Sequence, residues 1–117
     1  MVVRFAVLVV IANVRKVWYN MTITRTIRKY RRSMIKIINN HGIYSQLNYL
    51  KDEEMGELVD AIVEFKREPN EINKQNLVDE LTDNLHLILQ LAYALGEDKI
   101  ADRLEYKVRR QVERDGL

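Results

Sequence analysis

The sequence predicts an all-α fold of four amphipathic helices joined by short connections, and three observations support it. Apolar residues recur at spacings of three and four through four successive stretches. After residue 20 no stretch alternates apolar and polar residues as a half-buried strand would. Gly42, Pro69 and Gly96 fall where those stretches end, in a chain with only one proline and four glycines.

Residues 1–20 read as an N-terminal extension and residues 21–117 as one helical domain, because Met21 and Met34 stand ahead of well-formed helical patterns. Val2 to Val14 is apolar apart from Arg4 and Asn13, shorter than the roughly 20 residues a membrane span needs. No small-x-small cleavage site follows it, which argues against an export signal.

The first helix is expected through Ile23, Ile27, Tyr30, Met34, Ile37 and Ile38, stopping at Gly42. Ser45 is the expected cap of the second, whose stripe runs Leu47, Leu50, Glu54, Leu58, Ala61, Ile62 and Phe65 before Pro69. The third carries Leu77, Leu81, Leu85, Ile88, Leu91, Ala92 and Leu95, with Asn73 as its expected cap and Gly96 as its stop. From Leu85 to Leu95 it is apolar nearly all round, as a helix at a bundle centre or an oligomer seam would be. The fourth begins near Asp98 and sets Ile100, Leu104, Val108 and Val112 beside a basic edge of Lys107, Arg110 and Arg114.

Composition narrows the functional classes. With 47% hydrophobic and 31% charged residues the chain is a folding one, not a disordered one. It has no cysteine, so a disulfide frame, a thiolate nucleophile and a cysteine-bound zinc are all excluded, and the cytoplasm is the expected compartment. Charge is split: residues 1–51 hold ten Lys or Arg and no acid, and all seventeen acids follow. Arg25, Arg28, Lys29, Arg31 and Arg32 have the composition of a phosphate-binding arm, but a solvated helix face that offsets the acidic half is the preferred reading.

Acidic pairs three apart are common in the second half, and the helix face distinguishes two of them. Glu54 falls inside the apolar stripe of its helix with Glu57 beside it, and Glu80 and Asp83 continue toward Leu87, Leu91 and Ala94. Both pairs are therefore expected to point inward. Four buried carboxylates need positive charge between them, since desolvation costs several kcal/mol per ion. Hard oxygen ligands favour Mg²⁺, with Mn²⁺ as the alternative. The competing expectation pairs the same acids with Lys51, Lys107 or Arg110, or leaves them in solvent.

Glu53-Glu54-x-x-Glu57, followed after 22 residues by Glu80-x-x-Asp83, resembles the motif of the MazG-like, all-α nucleoside triphosphate pyrophosphohydrolases. The likeness extends from about His41 to Arg114 through "EEMGELVDAI", "NLVDELTDNLHLILQLAYALG" and "EYKVRRQVER". It implies a four-helix-bundle-like MazG-type fold, a homodimer or homotetramer, and Mg²⁺-dependent cleavage of a nucleoside triphosphate to monophosphate and pyrophosphate. Glu54, Glu57, Glu80 and Asp83 match the family's metal ligands. Glu53, one residue from Glu54, is placed either to orient or deprotonate the attacking water or to stand as an outer-shell or exposed acid. Lys107 and Arg110 match basic positions in the family's C-terminal segment, suited to holding β or γ phosphate oxygens, whereas Arg109 departs from the asparagine that relatives often carry nearby; the alternative for all three is surface charge on an amphipathic helix.

Tyr44, Tyr49, Tyr93, Trp18 and Asn84 are capable of contacting a nucleobase, yet aromatics at helical spacing are more often core, and none is assigned. His86 is expected to be packed and His41 to lie in a turn. The alternative to an enzyme is a non-catalytic helical interaction module whose basic N-terminal half binds nucleic acid. Within the enzyme reading, membrane and nucleic-acid partners are disfavoured.

Overall fold

The computed structural model describes residues 22–117; the expectations for residues 1–20, and Trp18 with them, lie outside the described residues. Five α-helices and one π turn account for almost all of this stretch, and no strand occurs among the described residues. They are α1 (Ile23–His41), α2 (Ile43–Tyr49), the π turn (Leu50–Glu54), α3 (Met55–Arg67), α4 (Glu71–Leu95) and α5 (Glu97–Asp115). No described helix is long and apolar enough to cross a membrane.

Two compact units divide the chain after Ser33, within α1. In the first, the Thr22 hydroxyl accepts from the Arg25 N–H at 3.3 Å, closing the first turn of α1, and the basic residues Arg25, Arg28, Lys29, Arg31 and Arg32 are all exposed. The second unit, Met34–Leu117, holds the acidic motif.

Helix ends in the second unit follow local chemistry. Gly42 stands at φ +86°, a conformation that favours glycine, and its N–H closes on the Ile38 carbonyl at 2.8 Å. Ser45 is therefore not a cap, because α2 has already begun at Ile43. Pro69 forces Glu68 into an extended conformation and ends α3. Asn70, not Asn73, caps α4: its side chain accepts from the Asn73 N–H at 2.8 Å. Asn73 instead turns its amide back to the Glu68 carbonyl at 2.9 Å, satisfying the end of α3. Gly96, at φ +128°, makes the turn from α4 to α5.

The expected second helix is continuous from Ile43 to Arg67 but contains the π turn, in which the Met55 N–H reaches the Leu50 carbonyl. Gln46 and Glu54, eight positions apart, would stand about 80° apart on an unbroken α-helix. The wider turn absorbs that offset, and both side chains are buried.

The buried apolar residues of the unit are Met34, Ile38, Ala61, Leu87 and Leu91, a small core for this length. The antiparallel pair α3 and α4 packs along the faces that carry Glu54 and Ala61 on one side and Glu80, Leu87 and Leu91 on the other, with Met55, Val59, Ile62 and Val63 of α3 and Val78, Leu81, Leu85 and Ile88 of α4 exposed on one flank. On the opposite flank of α3 stand Glu57, Asp60 and Glu64. Of the segment expected at a bundle centre or an oligomer seam, Leu87 and Leu91 are buried within the chain, and Leu85, Ile88 and Leu95 are exposed.

Candidate metal centre

Glu54 sits where the π turn passes into α3, and only 5% of it is exposed. Its neighbour one turn on, Glu57, projects from the first turn of α3, and Glu80 comes from the third turn of α4. Each of the three presents a carboxylate oxygen, and the three oxygens lie within 4.8 Å of one another. Burial grades across the set: Glu54 is buried, Glu80 half-buried and Glu57 exposed.

Asn84 locks the two helices at this point. Its side-chain amide donates to the Glu54 carbonyl at 3.0 Å and to the Glu80 carbonyl at 2.8 Å, one helical turn before it. A second buried tie lies further along α4, where the Gln46 amide donates to the Gln90 side-chain oxygen at 2.8 Å.

The electrostatics are those of a cluster short of positive charge. Among the described residues no Lys or Arg forms an ion pair with Glu54, Glu57, Glu80 or Asp83; Lys51 pairs instead with Asp52 at the surface, at 3.4 Å. Glu54 Oε2 and Glu80 Oε2 are buried with no hydrogen-bond partner, an arrangement that is costly for a carboxylate unless a proton or a cation completes it. Burial pushes the Glu80 carboxyl up from its ordinary value, with the charges of Glu57, Asp83 and Glu54 and a hydrogen bond to Glu57 adding to it.

Tyr49 responds to the same charge. A hydrogen bond to the Glu54 carboxylate, then the charge of Glu54, burial, and the charges of Glu53 and Glu57 push its phenol up to about 12, so it stays a donor toward Glu54.

The donor set fits a hard divalent cation. Oxygens bound to one Mg²⁺ stand about 3 Å apart at adjacent positions and about 4.2 Å at opposite ones, so closing a trio spread over as much as 4.8 Å needs a shift of up to about 1.8 Å. Exposed Glu57 has the freedom to supply it. Three carboxylates would leave part of a divalent cation's oxygen shell to other donors.

The other expected residues are placed less centrally. Asp83 is exposed and stands outside the trio, although its charge reaches Glu80, so the expectation that both pairs point inward applies to Glu54 and, in part, to Glu80. Glu53 is exposed and lines an open groove with His41, Ser45, Gln46, Asn48, Tyr49 and Asp52. Lys107 and Arg110 lie on α5, whose residues are all exposed. His86 is exposed rather than packed, and His41 ends α1 next to Gly42.

Sequence reasoning left Tyr49 and Asn84 unassigned. A signal for Asn84 was its position one turn after Glu80, on the same inward face. Tyr49 becomes adjacent to Glu54 only through the π turn, which no residue type announces. Comparison with protein-family models, with curated proteins and with solved structures finds no match.

Proposed function

We propose that the protein is a divalent-metal-dependent nucleoside triphosphate pyrophosphohydrolase of the MazG-like all-α type, acting as a homodimer or homotetramer. The observation that carries this reading is the convergence of Glu54, Glu57 and Glu80 around two buried, unpartnered carboxylate oxygens, with no cation of the described chain to complete them. The order of the motif, Glu53-Glu54-x-x-Glu57 and then Glu80-x-x-Asp83, adds to it.

Glu54, Glu57 and Glu80 would hold the metal, with Asp83 adding a further negative charge beside Glu80. A Mg²⁺ ion bound there would neutralise charge on the polyphosphate and make water easier to deprotonate. Tyr49 and Asn84 act indirectly: the first donates to the Glu54 carboxylate, and the second holds the backbone beneath Glu54 and Glu80. Glu53, accessible from the groove, accepts the proton of the water that attacks the α-phosphorus. Lys107 and Arg110 neutralise β and γ oxygens as pyrophosphate leaves.

The exposed apolar flank of α3 and α4 supports the oligomer, since a patch of that extent is normally covered. The test of the reading is release of pyrophosphate and orthophosphate from a panel of ribo- and deoxyribonucleoside triphosphates, including dUTP, with and without Mg²⁺. Pyrophosphate without orthophosphate, only when Mg²⁺ is present, is the expected result. Metal-independent release, or orthophosphate as the first product, would overturn it.

A further inference from the structure

We propose that α5 reaches onto a second copy of the chain, so that each metal centre draws Lys107 and Arg110 from the partner protomer; this rests on the pyrophosphohydrolase reading above. None of the nineteen residues of α5 is buried. Its apolar edge, Ile100, Leu104, Val108 and Val112, would be covered if the helix lay along its own bundle, yet Leu104 is 61% and Val108 54% exposed.

Charge identifies what covers it. Lys99, Arg103, Lys107, Arg110 and Arg114 recur at spacings of three and four, a basic stripe about 22 Å long. Among the described residues none of the five forms an ion pair; Arg109, off the stripe, takes Glu105 at 3.4 Å, and Arg103 lies over the Tyr106 ring. Along the π turn and α3, Glu53, Glu57, Asp60 and Glu64 form an acidic stripe of about 17 Å, bordered by Glu80 and Asp83. Apart from Glu64, which holds Arg67, these acids have no ion-pair partner among the described residues. One chain thus carries an uncovered basic stripe and an uncompensated acidic one of similar length.

A membrane or nucleic-acid polyanion fits worse, because α5 has equal numbers of acidic and basic residues, and Asp102 and Glu113 flank the basic stripe on one side. A second copy offers both signs. A two-fold pair makes the exchange reciprocal, each α5 serving the other protomer's centre.

Two experiments decide it. Chains carrying Glu54→Gln and chains carrying both Lys107→Ala and Arg110→Ala are each inactive alone; they are mixed by co-expression. If the residues act between chains, mixed dimers hold one complete centre, and about a quarter of wild-type turnover returns. Active wild type with a silent mixture overturns the exchange, whereas inactive wild type overturns the enzyme reading itself. The second experiment does not need turnover. The chain has no cysteine, so Asp83→Cys in one copy and Arg110→Cys in a size-tagged other copy are exposed to a short bis-maleimide. A mixed cross-linked dimer is expected. Cross-linking instead within single chains that carry both substitutions, with no mixed dimer, overturns the proposal whatever the activity.

Discussion

The Asn84 amide reaches thirty positions back in the chain to the Glu54 carbonyl, at 3.0 Å, and in doing so pins the end of the π turn to α4. The same amide holds the Glu80 carbonyl. One buried side chain therefore sets the spacing of the two helices that carry the metal ligands. Replacing it by leucine keeps the bulk and removes both donors, which is expected to lower stability by about 1–3 kcal/mol. Urea unfolding measures that loss, and Mg²⁺ titration of the folded variant is expected to show weaker binding. An Asn84→Leu protein with undiminished stability and metal affinity would remove Asn84 from the account.

Glu54→Gln separates the electrostatic cost of the site from its use. With no metal the wild-type cluster gathers carboxylates without a cation, so the neutral amide relieves repulsion and the melting temperature of the metal-free protein is expected to rise. The Mg²⁺-dependent increase seen in the wild type should vanish in the same variant, because stabilisation by a ligand follows its affinity for the folded state. Differential scanning fluorimetry with and without Mg²⁺ reads both effects. A variant that melts lower without metal would mean that the Glu54 carboxylate holds the fold together through a bond its amide cannot make.

Glu80 gives the site a pH dependence of definite sign. Burial and the neighbouring acids raise its carboxyl above the ordinary 4.5. The folded metal-free protein therefore favours the protonated form, and the stability this confers is complete below pH 4.5 and lost as the pH rises through the raised value. Relative to Glu80→Gln, the wild type is expected to be equally stable in acid and progressively less stable above it. Mg²⁺ binds the ionised form, so its stabilising effect should grow over the same interval. A gap between the two proteins that stays constant with pH would contradict the assignment.

Gln46 and Gln90 are a matched buried pair, Gln90 being 1% exposed. Truncating either to leucine strands the other amide in the interior, at an expected cost of about 1–3 kcal/mol, whereas replacing both should cost much less than the two losses added together. A double-mutant cycle by chemical denaturation gives the coupling directly. Additive losses would show that the two side chains do not depend on one another.

The helices were legible because helix formation leaves a local signature. The apolar spacing from Ile23 to Ile38 and from Leu77 to Leu95, with Gly42, Pro69 and Gly96 as punctuation, defines each segment without tertiary information. Glu54 was legible for the same reason, as a charge inside an apolar stripe. The cap of α4 was misplaced by three residues because Asn70 and Asn73 are equally good acceptors in sequence, and only the turn after Pro69 decides which of them begins the helix. The π turn was not legible at all, since its cause is the registry of Gln46 and Glu54 against α4 rather than any residue within Leu50–Glu54. The inward pointing of Glu57 and Asp83 was over-read: spacing places a residue on a face, but whether that face is covered depends on neighbours a single chain does not provide.

That dependence on neighbours gives the last prediction. Val59 and Ile62 of α3 and Leu81, Leu85 and Ile88 of α4 share one flank of the helical pair and are all exposed, on the side away from Glu57 and Asp60. A flank of β-branched and leucine side chains at helical spacing is what one helical hairpin offers another, and two hairpins joined there make a four-helix arrangement with the acidic stripes outward. Light scattering is expected to give a multiple of the 13.9 kDa chain mass. Val59→Glu together with Leu85→Glu places carboxylates in that contact, where burial costs several kcal/mol per ion, so the dissociation constant should rise at least about 100-fold. Neither substitution touches Glu54, Glu57 or Glu80, and helical content by circular dichroism should persist at concentrations where the wild type remains associated. A wild-type monomer, or a double variant that associates as tightly as the wild type, would place the contact elsewhere on the chain.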